Sequence, residues 1–230
     1  MTHIPYRNAL IIGTGPGISA SVTRLLRAAN IPVVVASRHV DRLATLVKET
    51  GASALSVDAT DASQVERLFA EAESLIGSPE VVIYNASGRT RGPIADLNPV
   101  DVEQVLAVSA LGAFYTVRQA AKRMVPARRG AILLTGATAG LKGFALSAPF
   151  AMGKFALRGL AQSAARELAP QGIHVAHIVV DGSVRGAGRP DSEDGTLDPD
   201  AVAQSYVDLL CQHRSAWSWE LEIRPWIENF

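Results

Sequence analysis

Short runs of aliphatic and β-branched residues, each followed by a longer stretch of helical periodicity, constrain this chain more than any other feature. ALIIG (Ala9–Gly13), IPVVVAS (Ile31–Ser37), ALSVD (Ala54–Asp58), VVIYNAS (Val81–Ser87), GAILLTGA (Gly130–Ala137) and HVAHIVVDG (His174–Gly182) read as strands. Helical patterns lie between them at Ile18–Ala29, Val40–Glu49, Ala62–Leu75, Val100–Met124 and Ser147–Leu168. A helix over Pro199–Gln212 and a strand near Trp219–Ile223 close the chain. Strands apolar along their whole length must be covered on both faces, and alternation with helices makes neighbouring strands parallel. The pattern therefore predicts an α/β fold: a doubly wound parallel sheet of about seven strands with helices on both faces.

No linker or internal repeat divides the 230 residues, so a single domain over 1–230 is expected. The stretch RGAGRPDSEDGTLDPD (Arg185–Asp200), rich in Gly, Pro and Asp, reads as a mobile substrate-side loop. Lys plus Arg and Asp plus Glu are 22 each, so bulk charge favours neither nucleic acid nor an anionic membrane as partner. No apolar run approaches the roughly 18 residues of a membrane span. The N-terminus lacks the zones of a secretory signal, and the lone Cys211 suits a reducing compartment, so a cytoplasmic location is expected. His174 and His177, three apart on a strand, point to opposite faces and cannot share a metal ion, and no metal site is expected.

The first strand runs into GTGPGISA (Gly13–Ala20). A tight strand-to-helix turn brings backbone N–H groups to a pyrophosphate at the helix N-terminus. Glycine serves there because a Cβ would block the approach or forbid a positive φ. Gly13, Gly15, Gly17 and Ile18 are the candidates, although the glycines miss the usual Gly-x-Gly-x-x-Gly spacing. The second strand ends in Ser37–Arg38, where a cofactor lacking the 2′-phosphate meets an acid on its ribose. A guanidinium suits a phosphate dianion through paired hydrogen bonds, which favours NADP(H) over NAD(H).

Together these features resemble the short-chain dehydrogenase/reductase family over nearly the whole chain. Gly13 and Gly17 match two glycines of its Thr-Gly-x3-Gly-x-Gly loop, with Ile12 and Ser19 at two other positions. Asp58 stands where the family meets adenine, and Asn85–Gly88 is similar to its Asn-Asn-Ala-Gly segment, which makes Asn85 and Ala86 cofactor-side residues. KFALRGLAQSAARELAPQGIHV closely resembles the family's active-site helix and the strand after it. The resemblance implies a Rossmann-type domain, with Gly182 and Val184 beside the cofactor. It also implies a homodimer or homotetramer built on the helices at Val100–Met124 and Pro149–Leu168.

The family works with Asn, Ser, Tyr and Lys. By position these fall on Ser109, on Ala137 (thirteen before residue 150), on Phe150 and on Lys154, so only the lysine is kept. Asp181 replaces the proline of the family's Pro-Gly pair. Phe150 and Ala137 can neither donate a proton nor hold a carbonyl oxygen. Thr138, one residue past the vacated serine, and Ser147, seven before Lys154, are substitute hydroxyls, and Lys154 is itself a donor if burial lowers its pKa. Tyr84 and Tyr115 read as packing residues. The expectation is an NADP(H)-dependent oxidoreductase for a small carbonyl, alcohol or activated alkene with an atypical donor set. The alternative is an inactive NADP(H)-binding sensor or partner subunit.

Overall fold

The computed structural model describes residues 4–186 and 195–228. The runs of β-branched residues become β1 (Ala9–Ile12), β2 (Val33–Ser37), β3 (Ser53–Ser56), β4 (Val81–Tyr84), β5 (Gly130–Thr135), β6 (Ile173–Val180) and β7 (Glu220–Ile223). They form one sheet in the order β3-β2-β1-β4-β5-β6-β7, with every pair parallel. The helices are α1 (Ile18–Ala28), α2 (Ala44–Thr50), α3 (Ala62–Ile76), α4 (Pro99–Leu106), α5 (Gly112–Ala127), α6 (Ala148–Leu168) and α7 (Pro199–Leu210).

Alternate residues of each strand serve opposite layers. Ile11, Val33, Val35, Ile83, Leu133 and Ile178 pack with Leu26, Tyr206 and Leu209 of α1 and α7. Leu10, Ile12, Val34, Ile132, Leu134 and Val175 pack with Leu68, Phe69, Ala113 and Leu157 of α3, α5 and α6. Three helices begin where a short polar side chain takes orphan N–H groups. Asp61 accepts from Ser63 and Gln64, Asn98 from Val100, and Asp198 from Asp200. In the last two a proline follows at the first helical position, where its missing N–H costs nothing.

Two expectations change. The stretch Val100–Met124 is not one regular helix: α4 and α5 are joined by a π-helical segment, Ala107–Leu111. The Tyr84 hydroxyl supports the wider turn by donating to Val108 O at 2.5 Å. Gly112 makes this possible, since a Cβ there would sit 2.4 Å from that hydroxyl. Second, the continuous helical stretch Pro99–Ala127 has a window of mean hydropathy 1.3 and is, by length and composition alone, able to cross a membrane. Here it packs on the sheet through Ala113, Val117, Ala120 and Met124.

Half of the expected Arg185–Asp200 loop, residues 187–194, lies outside the described residues. Its flanks are ordered: Val184 bridges Leu197, and Asp198 already caps α7, so the loop ends earlier than expected.

Candidate functional site

After β1 the chain goes outward to β2 and β3 and then returns to β4 on the other side of β1. That reversal opens a crevice at the C-terminal ends of the strands, where open α/β sheets hold ligands. A cleft of about 360 Å³ occupies the place. Gly13, Gly15, Ser37, Arg38, Asp58, Asn85 and Ala86 all line it, together with Thr14, Pro16 and Arg42, which the sequence did not single out. Gly17, Ile18, Lys154, Gly182 and Val184 are not part of its lining.

The glycine loop is shaped by contact on one side and open space on the other. Gly13 has φ +84°, and a Cβ on it would lie 2.2 Å from Ala86 N, so β1 and β4 can approach only through glycine. A Cβ on Gly15 or Gly17 would meet no protein atom within 4 Å. Gly17 begins α1 without a side-chain cap, which leaves first-turn N–H groups available to an anion. Asn85 braces the loop, its Nδ2 donating to Ser19 Oγ at 2.7 Å and to Gly13 O at 3.3 Å. Asp58 shapes its own turn by accepting from Thr60 N–H and Thr60 Oγ1 at 3.0 and 2.8 Å. Arg38 is exposed at the rim beside the half-buried Ser37.

Farther along the same edge lie the candidate chemical residues. Lys154 is 3% exposed and donates from Nζ to Thr135 O at 2.8 Å. Burial pulls its pKa down to about 8. Phe150, one turn earlier on α6, is half-buried between two cations. Its ring centroid lies 5.8 Å from Lys154 Nζ and 4.9 Å from the guanidinium carbon of Arg89. Arg89 is exposed, and it went unremarked in the sequence because it sits in the irregular loop after β4, where no periodicity relates a side chain to α6.

Ser109 falls in the π-helical segment. It is fully buried, its Oγ accepts from Gly88 N–H at 3.3 Å, and its Cβ lies where a side chain on Gly153 would be. Ser147 is buried at the start of α6 and makes no side-chain capping bond. Thr138 opens the 3-10 turn Thr138–Gly140 after β5, and its hydroxyl donates to Asp181 Oδ1. Asp181 was noted in the sequence only as a replaced proline; its partnership with Thr138 depends on β5 and β6 being neighbours.

The two histidines have separate partners. His177 Nδ1 faces Glu220 at 3.0 Å on the α6 side, while His174 stacks on Trp217 and bonds Ser218 O. Burial lowers the pKa of both. Tyr84 is wholly buried, and its hydroxyl serves the helix rather than the cleft.

Comparison with known proteins agrees with this geometry. The short chain dehydrogenase family model matches residues 7–187. An uncharacterized oxidoreductase of Staphylococcus aureus is 26% identical over 98% of this chain and 100% of its own length. A short-chain dehydrogenase structure from Rhodopseudomonas palustris is 33% identical with a TM-score of 0.84, covering 96% of this chain and 99% of that one. A metagenomic short-chain oxidoreductase solved in complex with NADP is 27% identical with a TM-score of 0.83, covering 95% and 97%. The glycine turn, the crevice beside β1 and the lysine of α6 thus sit in a chain that belongs to the short-chain dehydrogenase/reductase family of oxidoreductases.

Proposed function

We propose that this chain, acting as one domain, binds NADP(H) in preference to NAD(H) and oxidises or reduces a small alcohol, carbonyl or activated alkene. The observation that carries the reading is the wall at the end of β2, where Ser37, Arg38 and Arg42 line the cleft. Two guanidinium groups there suit a ribose 2′-phosphate, and the strand end offers a hydroxyl in place of a ribose-binding acid. NADP in the related metagenomic oxidoreductase supports the same choice.

The residues fit such a cofactor. The open space over Gly15 and Gly17 leaves room for a pyrophosphate, and the uncapped start of α1, with Ile18, offers its N–H groups. Asp58 would meet the adenine, Asn85 and Ala86 would form the inner wall, and Lys154 would serve the nicotinamide ribose, with Gly182 and Val184 beside the nicotinamide end. When bound, the cofactor supplies or accepts the hydride.

In this reading Ser109, Ala137 and Phe150 stand at the family's Asn, Ser and Tyr positions, and Lys154 alone is retained. Phe150 and Ala137 have no proton to give, which is the observation that favours the second reading, an NADP(H)-binding sensor or partner subunit without turnover. Titration decides the cofactor: NADPH should bind at least about tenfold tighter than NADH, about 1.4 kcal/mol. Equal affinities would overturn it. Following nicotinamide absorbance against a panel of alcohols, carbonyls and enones separates the two readings.

A homodimer or homotetramer on α4–α5 and α6 belongs to the same proposal. Leu111, Phe114, Met152 and Phe155 are exposed large apolar side chains on these helices and the π-helical segment. A monomeric mass by light scattering at micromolar concentration would remove it.

A further inference from the structure

The hydroxyl closest in sequence to the vacated serine position already has an acceptor for its proton. Thr138 Oγ1 donates to Asp181 Oδ1, and the other oxygen of Asp181 lies 3.5 Å from Arg224 Nη2. Asp181 is 6% exposed and its N–H is bonded to Ile223 O, so β7 also holds it in place. Thr138 and Asp181 lie just past the C-terminal ends of β5 and β6, on the ligand-binding edge of the sheet. The turn that starts at Thr138 packs on α6, where a Cβ on Gly140 would lie 3.0 Å from Lys154 O. Thr138 itself is half-buried, and its bond to Asp181 is only partly buried.

A hydroxyl whose proton is committed to a carboxylate turns its lone pairs toward whatever approaches. Such an oxygen accepts hydrogen bonds. It gives nothing to a carbonyl, which is an acceptor too, but it suits the O–H of an alcohol. Phe150 and Ala137 add no donor beside it. The Lys154 ammonium, the cation on the inner face, gives one of its three protons to Thr135 O.

We propose that Thr138 and Asp181 form a proton-accepting relay, and that with Asp181 ionised the site takes alcohols in preference to carbonyls. This rests on the NADP reading above. The C–H bond of the alcohol carbon breaks, and its electron pair leaves as hydride to NADP⁺, which is reduced while the alcohol becomes a carbonyl. The alcohol proton passes to Thr138 Oγ1, and the proton Thr138 held passes to Asp181 Oδ1. Asp181 then returns its proton to solvent past the partly exposed Arg224. Thr138 touches the reacting hydroxyl; Asp181 acts through it as a positioning residue and proton store.

Two readouts need no turnover. In the cofactor-free protein the Thr138 hydroxyl proton should exchange slowly enough to give an NMR signal, and Asp181→Ala should abolish it. With NADP⁺ present, a tertiary alcohol, which has no hydride to give, should bind at least about tenfold tighter than a ketone of the same shape, a difference of about 1.4 kcal/mol. In turnover, Asp181→Asn and Thr138→Val should each lower kcat for alcohol oxidation by about 100-fold or more, the scale of a lost general base. NADP⁺ affinity should stay near wild type in both. KM for the alcohol should stay near wild type in Asp181→Asn but rise in Thr138→Val, which loses the acceptor, and Thr138→Ser should recover most of the rate. A solvent deuterium isotope effect on kcat should be present in the wild type and in Thr138→Ser.

Equal binding of alcohol and ketone, an Asp181→Asn enzyme at wild-type kcat, or a wild type that turns over carbonyls but no alcohol would each overturn the relay. If Asp181→Asn does not fold, the Thr138 pair decides alone, because both variants leave the Asp181–Arg224 contact intact. Failure of the wild type to bind NADP⁺ would instead remove the cofactor reading, while the NMR signal would still report on the Thr138–Asp181 bond.

Discussion

The ligand-side edge of this sheet is made of two materials. Around β1, β2 and β4 much of it is main chain: Gly13 against Ala86, open space over Gly15 and Gly17, and an uncapped helix start. Around β5, β6 and α6 it is side chain: Thr138 on Asp181, Lys154 on Thr135, and Phe150 between Arg89 and Lys154. A main-chain surface is fixed by how closely two strands approach, and it changes only if the fold changes. A side-chain surface can be rewritten one residue at a time on an unchanged backbone. On the proposed reading, that contrast would let a chain keep a dinucleotide cradle in family form while its donors change.

The contrast can be broken most directly at Gly13. Gly13→Ala would combine φ +84° with a contact of 2.2 Å to Ala86 N. It should cost about 4 kcal/mol or more, a drop of about 10 °C in Tm, whereas Ala137→Ser on the other side should cost under about 0.5 kcal/mol. Similar melting temperatures for the two variants would erase the distinction.

Next in size is Lys154, the buried charge of the side-chain half. Its folded pKa is lowered from 10.5 to about 8 by burial. Between those values the unfolded chain holds the proton more often than the folded one, so this group makes stability rise as pH increases through that window. The gain is complete above the unfolded value and absent below the folded one. It amounts to at most about 3 kcal/mol. Lys154→Met should lack the rise, and denaturant melts of both proteins across the window measure it as a difference.

A third change sharpens the comparison by rewriting only side chains. Phe150→Tyr with Ala137→Ser supplies a phenol beside Lys154 and a second hydroxyl. It should raise or create carbonyl reduction by at least about tenfold, with NADPH affinity nearly unchanged and the single Phe150→Tyr change giving less. A wild type that reduces carbonyls efficiently and is slowed by Phe150→Tyr would contradict this placement of the donor. The smallest expected effect returns to the cradle: Arg38→Ala should remove most of an about tenfold preference for NADPH over NADH, about 1.4 kcal/mol, by titration. An unchanged preference would move the 2′-phosphate to Arg42.

The cradle was also the half that the sequence displayed best. Continuous apolar strands and a glycine cluster after the first of them are local signals, and each appears where it was expected. The π-helical segment carrying Ser109 was not visible, because it depends on a hydroxyl from Tyr84, brought in from β4. The same holds for Thr138: which way its hydroxyl points is decided by Asp181, 43 residues away on the neighbouring strand. Arg89 reaches Phe150 from a loop with no periodic pattern. What was hidden in each case was a pairing between distant side chains.

The strand order also has a history written into it. β1 lies between β2 and β4, so the four-stranded group β3-β2-β1-β4 is complete once residue 84 has been synthesised. β5, β6 and β7 then join one after another at the β4 edge, each in chain order. Domains emerging from a ribosome fold from the N-terminus, and parallel strands pair slowly because every pairing closes a long loop. The chain can therefore build its nucleotide cradle as a nascent intermediate and add the chemical half as a sequential outgrowth. During that interval the free edge of β4 is the place where an incomplete molecule could pair with the wrong partner.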